Sequence, residues 1–136
     1  MQNILIRDLH YSTLEEFLND NDFFVEKIAE NILKVNRSYE QPVYLNRQDN
    51  TIYFSIDLGG IKDLGSENCY FKLLDLNTEI LPVSVGIDTT EALDPRLVLV
   101  ESRECSNIDR NELLSVFDAL EIAVDKVEGL LSEFIK

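Results

Sequence analysis

Residues 109–136 constrain the fold of this chain more than any other stretch. Leu113, Phe117, Leu120, Val124, Val127, Leu131 and Phe134 recur at alternating spacings of four and three, and Val116, Ala123 and Leu130 widen the stripe by one column. Such spacing places every one of these side chains on one face of an α-helix. Asp109 with Glu112 offers a capping box at its start, and no proline follows. A stripe three columns wide in seven suits packing on a sheet or in a bundle better than a two-stranded coiled coil. Gly129 is its one weak point, about 1 kcal/mol worse than alanine in a helix interior.

The N-terminal part also reads as helical. Ser12 or Thr13 can cap a helix, because Glu15 and Glu16 stand three residues later. Leu14, Leu18, Val25, Ile28, Ile32 and Val35 keep to one side at spacings of three, four or seven. Residues 19–22, Asn-Asp-Asn-Asp, are poor helix formers, so residues 12–36 are expected to form a kinked or broken helix whose second part begins near Phe23.

Between these helices the period changes to two. Ile52, Phe54, Ile56 and Leu58 alternate with Thr51, Tyr53, Ser55 and Asp57, as a half-buried strand requires. The polar linker Gln48-Asp49-Asn50 joins this strand to another over residues 43–47, and Gly59-Gly60 is expected to end it in a turn. Residues 69–76 and 80–87 read as a second hairpin about Asn77-Thr78, with Pro82 at an edge or strand start where no ladder donor is needed. Leu97 to Val100 is a continuous apolar run, which predicts a strand covered on both faces near the middle of the sheet. The expected architecture is α+β: a twisted antiparallel sheet of about five strands, flanked by an N-terminal helix and a long C-terminal amphipathic helix. No repeat, low-complexity tract or linker interrupts the chain, so residues 1–136 are read as a single domain.

Charge bears on function. Twelve basic against twenty-six acidic residues give a net charge of −14, which repels nucleic acid phosphates and disfavours direct DNA or RNA binding. Residues 1–36 carry 7 acids and 3 bases, residues 37–100 carry 10 and 5, and residues 101–136 carry 9 and 4, so the acidity belongs to the folded surface and not to a tail. No apolar run approaches the roughly 18 residues of a membrane span, and Arg7 and Asp8 interrupt Ile4-Leu5-Ile6 before a signal-peptide core could form. Cys69 and Cys105, 36 positions apart, read as small buried thiols in a reducing, cytoplasmic setting.

Groups for catalysis are scarce. His10 is the sole histidine and has no recognised nucleophile partner, and the cysteines form no CxxC pair. Gly59-Gly60 matches neither a P-loop nor a dinucleotide fingerprint. One enzymatic reading survives: Asp88 at a strand end with Glu101-Ser102-Arg103 faintly resembles metal-dependent nucleases, in which an aspartate precedes a Glu-x-Lys triplet and holds Mg²⁺, although arginine stands here in place of lysine. Neither catalysis nor a cofactor is expected.

The residues that stand out for binding are Asp118, Glu121, Asp125 and Glu128, at intervals of 3, 4 and 3 on a helix face apart from the apolar stripe. Like charges so spaced cost an isolated helix about 0.2–0.5 kcal/mol per pair, a cost that a basic protein partner would convert into steering and specificity.

Taken together, the capped helix within residues 12–36, the strands at residues 51–58 and 96–102 and the helix at residues 109–136 resemble the type III secretion chaperones in order and composition. That resemblance implies a homodimer that keeps a secreted effector partly unfolded by pairing with its extended segment, with exposed apolar strand faces as the binding surface. The central helix which that family uses for dimerisation is not expected here, because residues 89–94 are too short for it. The competing reading is an immunity protein or phage-encoded inhibitor whose acidic surface blocks the basic site of a nuclease or another nucleic-acid-binding enzyme.

Overall fold

A computed structural model describes residues 4–7, 12–62, 64 and 66–134. His10 lies outside the described residues. In chain order the elements are β1 (Leu5–Ile6), β2 (Ser12–Thr13), α1 (Leu14–Asp20), β3 (Phe23–Ala29), β4 (Ile32–Arg37), β5 (Val43–Gln48), β6 (Thr51–Gly60), α2 (Glu67–Leu76), β7 (Ser84–Asp88), β8 (Arg96–Glu104) and α3 (Arg110–Leu131). β1 and β2 form a two-stranded pair, and the other six make one antiparallel sheet in the order β3-β4-β5-β6-β8-β7. The expected α+β class holds, with one strand more in the main sheet than the five anticipated. Two compact units share the chain: Met1–Ile56 with Glu101–Phe117, and Asp57–Val100 with Asp118–Lys136.

In the first unit, α1 begins where its cap was expected. Thr13 Oγ1 accepts the N–H of Glu16 at 3.2 Å and donates to Glu16 Oε1 at 3.1 Å. Thr13→Ala should therefore lower unfolding stability by about 1 kcal/mol, read as a shift of the urea midpoint at unchanged slope. Leu14, Phe17 and Leu18 are the buried face of α1. The helix stops at Asn21, whose Nδ2 donates to Phe17 O at 2.8 Å, and Asp22 with φ 65° turns the chain away.

Residues 23–37 are not the second helical segment that their spacing suggested. They form the hairpin β3–β4, registered from Phe23 opposite Arg37 to Lys27 opposite Leu33, with a bulge at Ile28 before Ala29 meets Ile32. Phe23, Phe24, Val25, Ile28, Ile32 and Val35 are aromatic or β-branched, types that lose rotamer freedom in a helix and pack well on a pleated surface. Leu33 and Val35 are buried while Lys34 and Asn36 are not, which is alternation of period two.

The core of this unit centres on rings. Phe117 packs against Phe23 with centroids 4.7 Å apart and meets Phe54 edge-on at 5.9 Å. Ile52, Phe54 and Ile56 are buried as the alternation required. Asp109 caps α3 by accepting the N–H of Glu112 at 2.8 Å, and Arg7 holds its other oxygen at 2.9 Å.

In the second unit three expectations give way. First, residues 69–76 are not a strand but belong to α2, capped by Ser66 Oγ, which accepts the N–H of Cys69 at 3.1 Å. Buried Cys69, Leu73 and Leu76 follow the helical 4-3 spacing. The hairpin about Asn77-Thr78 therefore does not exist, and β7 is confined to Ser84–Asp88, with Pro82 in the turn before it. Second, Gly59-Gly60 does not form a turn beyond β6: the two glycines are its last residues, and the strand ends with them. The strand runs through both, Gly59 at φ 114° taking a backbone angle that side chains rarely adopt and Gly60 leaving room for the Asp94 carboxylate, which would stand 3.2 Å from a Cβ there. Third, β8 is penultimate, between β6 and the edge strand β7, and is covered on one face: Leu97 and Leu99 are buried, whereas Val98 is half-buried and Val100 exposed. Within this unit Leu120, Ala123, Val124, Val127 and Leu131 are the buried stripe of α3, while Leu130 and Phe134 are half-buried. The helix ends at Leu131.

Candidate protein-binding surface

In the acidic helix stripe, Asp118, Glu121, Asp125 and Glu128 are all exposed on α3 in the second unit. Ile122, also exposed, sits among them.

The nuclease-like pair is arranged differently from the expectation. Asp88 Oδ1 accepts the N–H and hydroxyl of Thr90 at 2.8 and 2.6 Å, bonds that hold its carboxyl below the usual range, and in the sheet register it faces Arg96, the first residue of β8. Glu101 is the sixth residue of that strand and is buried, with Arg103 Nη2 2.6 Å from Oε1. The contact is a close ion pair, in which Arg103 favours the ionised carboxylate through its charge and as a donor. Among the described residues no group of three or more His, Cys, Asp or Glu side chains could hold a metal ion.

Glu101 acts on stability instead. Burial pushes its carboxyl above the ordinary value of 4.5, and Arg103 draws it back only in part. A carboxyl raised on folding contributes stability that is complete below its unfolded pKa and lost as pH rises through the folded one. Glu101→Gln is therefore expected to raise the urea midpoint near neutral pH and to lose that advantage toward pH 4, in a denaturation series across pH. Asp109 works in the opposite sense: its bond from the Glu112 N–H and its pairing with Arg7 hold it low, so its contribution is present above its unfolded pKa and fades as pH falls through the folded value.

The surface that sequence reasoning missed is β3. It is an edge strand of the sheet, and from Phe24 onward its residues are exposed or half-exposed. Phe24 is 76% exposed and Ile28 49%. The register carries Phe24's face across the sheet: Glu26 is opposite Lys34, Lys34 opposite Tyr44, and Tyr44 opposite Ser55, while Ile32, Asn46 and Tyr53 form the next row. Tyr53 is exposed, and Ile32 and Tyr44 are half-buried. The result is an edge flanked by a partly apolar outer face, suited to an extended peptide that adds one strand and seats alternate side chains. Read as helix, these residues concealed the edge. The aromatic, β-branched run Phe23-Phe24-Val25 directly after Asn-Asp was the signal for it.

A helix also occupies the interval between the middle and last strands where none was expected: α2, with Phe71 and Leu74 69% and 68% exposed on its outer side. Among the described residues no helix is long and apolar enough to cross a membrane.

Comparison with known proteins follows the fold. No curated protein matches the sequence. A chain of the heterodimeric complex ExoU-SpcU from the type III secretion system of Pseudomonas aeruginosa superposes with a TM-score of 0.69 at 18% identity, covering 87% of this chain and 97% of that one. YbjN from E. coli, described as a putative transcription regulator, gives a TM-score of 0.50 at 19% identity, covering 89% and 84%. At these identities the likeness is one of fold. The family model CesT_Tir_1, that of the type III secretion chaperones, matches residues 7–136 and so spans both units, and the chain belongs to that family.

Proposed function

We propose that this protein is a non-catalytic secretion chaperone which binds an extended segment of a secreted partner along β3 and keeps it from folding or aggregating before export. The observation that carries the reading is the exposed edge strand with Phe24 and Ile28 outward, in a chain of this family. Regular pairing over Phe23–Lys27 gives room for a short added strand, and the bulge at Ile28 ends it. Glu26 and Lys27 place charges on the free edge, which keeps it from joining other edges while no partner is bound. The apolar outer side of α2 supports a homodimer, as the family resemblance implied; a monomer by light scattering at micromolar concentration would remove that element. Residence in the cytoplasm follows from the same role.

Asp118, Glu121, Asp125 and Glu128 enter as a second contact, steering a basic segment of the partner. Their exposure equally supports the inhibitor reading, and salt separates the two. Capture from native cell extract, followed by identification of the retained protein, is the direct experiment. A chaperone should retain a protein whose bound segment is extended, resists proteolysis only in the complex, and is held almost as tightly in high salt. Retention of a folded nucleic-acid enzyme with an on-rate that collapses as salt rises would overturn the proposal in favour of inhibition.

A further inference from the structure

The sheet has a second edge, β7, and it is treated quite unlike β3. In antiparallel pairing, alternate residues turn their backbone groups toward the neighbouring strand and the rest turn away. Val85 turns away from β8, because its N–H donates to Asn77 Oδ1 at 2.7 Å and its C=O accepts from Asn77 Nδ2 at 3.4 Å. One side-chain amide thus reproduces the donor and acceptor pair that an added strand would present. The preceding outward position, Val83, donates its N–H to Ile80 O at 2.9 Å. At most the position of Ile87 is left along this edge, and a single position cannot hold a strand. Asn77 itself is fixed, since its N–H bonds Leu74 O at 3.2 Å at the end of α2, and Thr78 Oγ1 and N–H both bond Asp75 O.

We infer that Asn77 is an edge guard: its side chain closes β7 against strand addition and keeps copies of this chain from joining through that edge, where Ile87 is exposed beside it. The inference does not depend on the partner proposed above, and its test uses the full chain alone.

Hydrogen exchange on the wild type comes first. The Val85 amide should exchange as slowly as those of Ser84 and Gly86, which face β8 in the ladder; exchange at the rate of an open amide overturns the guard. Asn77→Leu keeps the bulk and removes the hydrogen bonds. Sedimentation over a concentration series should show this variant forming larger, concentration-dependent species than the wild type, and Ile87→Pro in the same chain, which removes an outward-facing donor, should reverse the gain. A folded Asn77→Leu protein whose mass matches the wild type at every concentration overturns the inference, as does association that Ile87→Pro leaves intact. If circular dichroism finds Asn77→Leu unfolded, the Val85 exchange rate decides.

Discussion

Phe117→Ala will cost this protein about 3–5 kcal/mol of unfolding stability. The ring is 3% exposed and touches two others, Phe23 at 4.7 Å and Phe54 at 5.9 Å between centroids. Truncation removes its own transfer free energy, leaves a cavity that two aromatic neighbours cannot collapse to fill, and deletes ring contacts worth about 0.5–1.5 kcal/mol each beyond burial. Set against a total of roughly 5–15 kcal/mol for a domain, one side chain takes a large share. Urea denaturation followed by circular dichroism should show a midpoint far below wild type at similar slope, several times the shift expected of Thr13→Ala. A loss under about 1 kcal/mol would mean that these rings do not form the core described for the first unit.

Phe24→Glu with Ile28→Glu should weaken retention of the native partner at least tenfold while leaving the fold intact. Both side chains already face solvent, so the unbound protein loses little. In the complex, fully burying a phenylalanine is worth about 1.5–3 kcal/mol, which is roughly a ten- to hundredfold change in Kd before the cost of burying a carboxylate is added. The comparison variant is Asp125→Lys with Glu128→Lys, on the acidic stripe of α3. Its effect should lie in the on-rate and vanish in high salt, because exposed charges are screened within about 10 Å at 0.1 M. Surface plasmon resonance with the captured partner separates the two. If the β3 variant binds like wild type and the α3 variant does not, the edge is not the docking site and the inhibitor reading gains.

How far the sequence spoke depended on where its signals were unambiguous. α3 was legible because its burial is one-sided for six turns and nothing in residues 110–131 breaks a helix; the caps at Thr13 and Asp109 were legible because each carries its own acceptor three residues before a glutamate. Residues 23–37 misled because Val25, Ile28, Ile32 and Val35 satisfy helical spacing by accident across a turn at Glu30-Asn31 that has neither glycine nor proline. Residues 69–76 misled the other way, since Cys69, Phe71 and Leu73 alternate as in a strand although Phe71 faces solvent, and Ser66 caps α2 without a glutamate or glutamine to complete a box. The family resemblance was legible from the order of elements, but the helix it lacked was present and hidden by that error. The β3 edge was not read, because being last in a sheet is a property of strand order; the strand itself was signalled only by the run Phe23-Phe24-Val25, and the charges of Glu26 and Lys27 that suit an edge pass equally for a helix's polar side.

Each compact unit is assembled from two separated stretches of sequence, and β6, β8 and α3 each pass from one unit into the other. No single cut can therefore yield either unit whole. A fragment ending before residue 118 would strip the second unit of Leu120, Val124 and Val127, and one starting after residue 56 would lack most of the first. Deletion mapping of a binding region, the customary first experiment on a small partner protein, will report collapse in place of contact; point substitutions and peptide-resolved exchange are the tools that this topology permits.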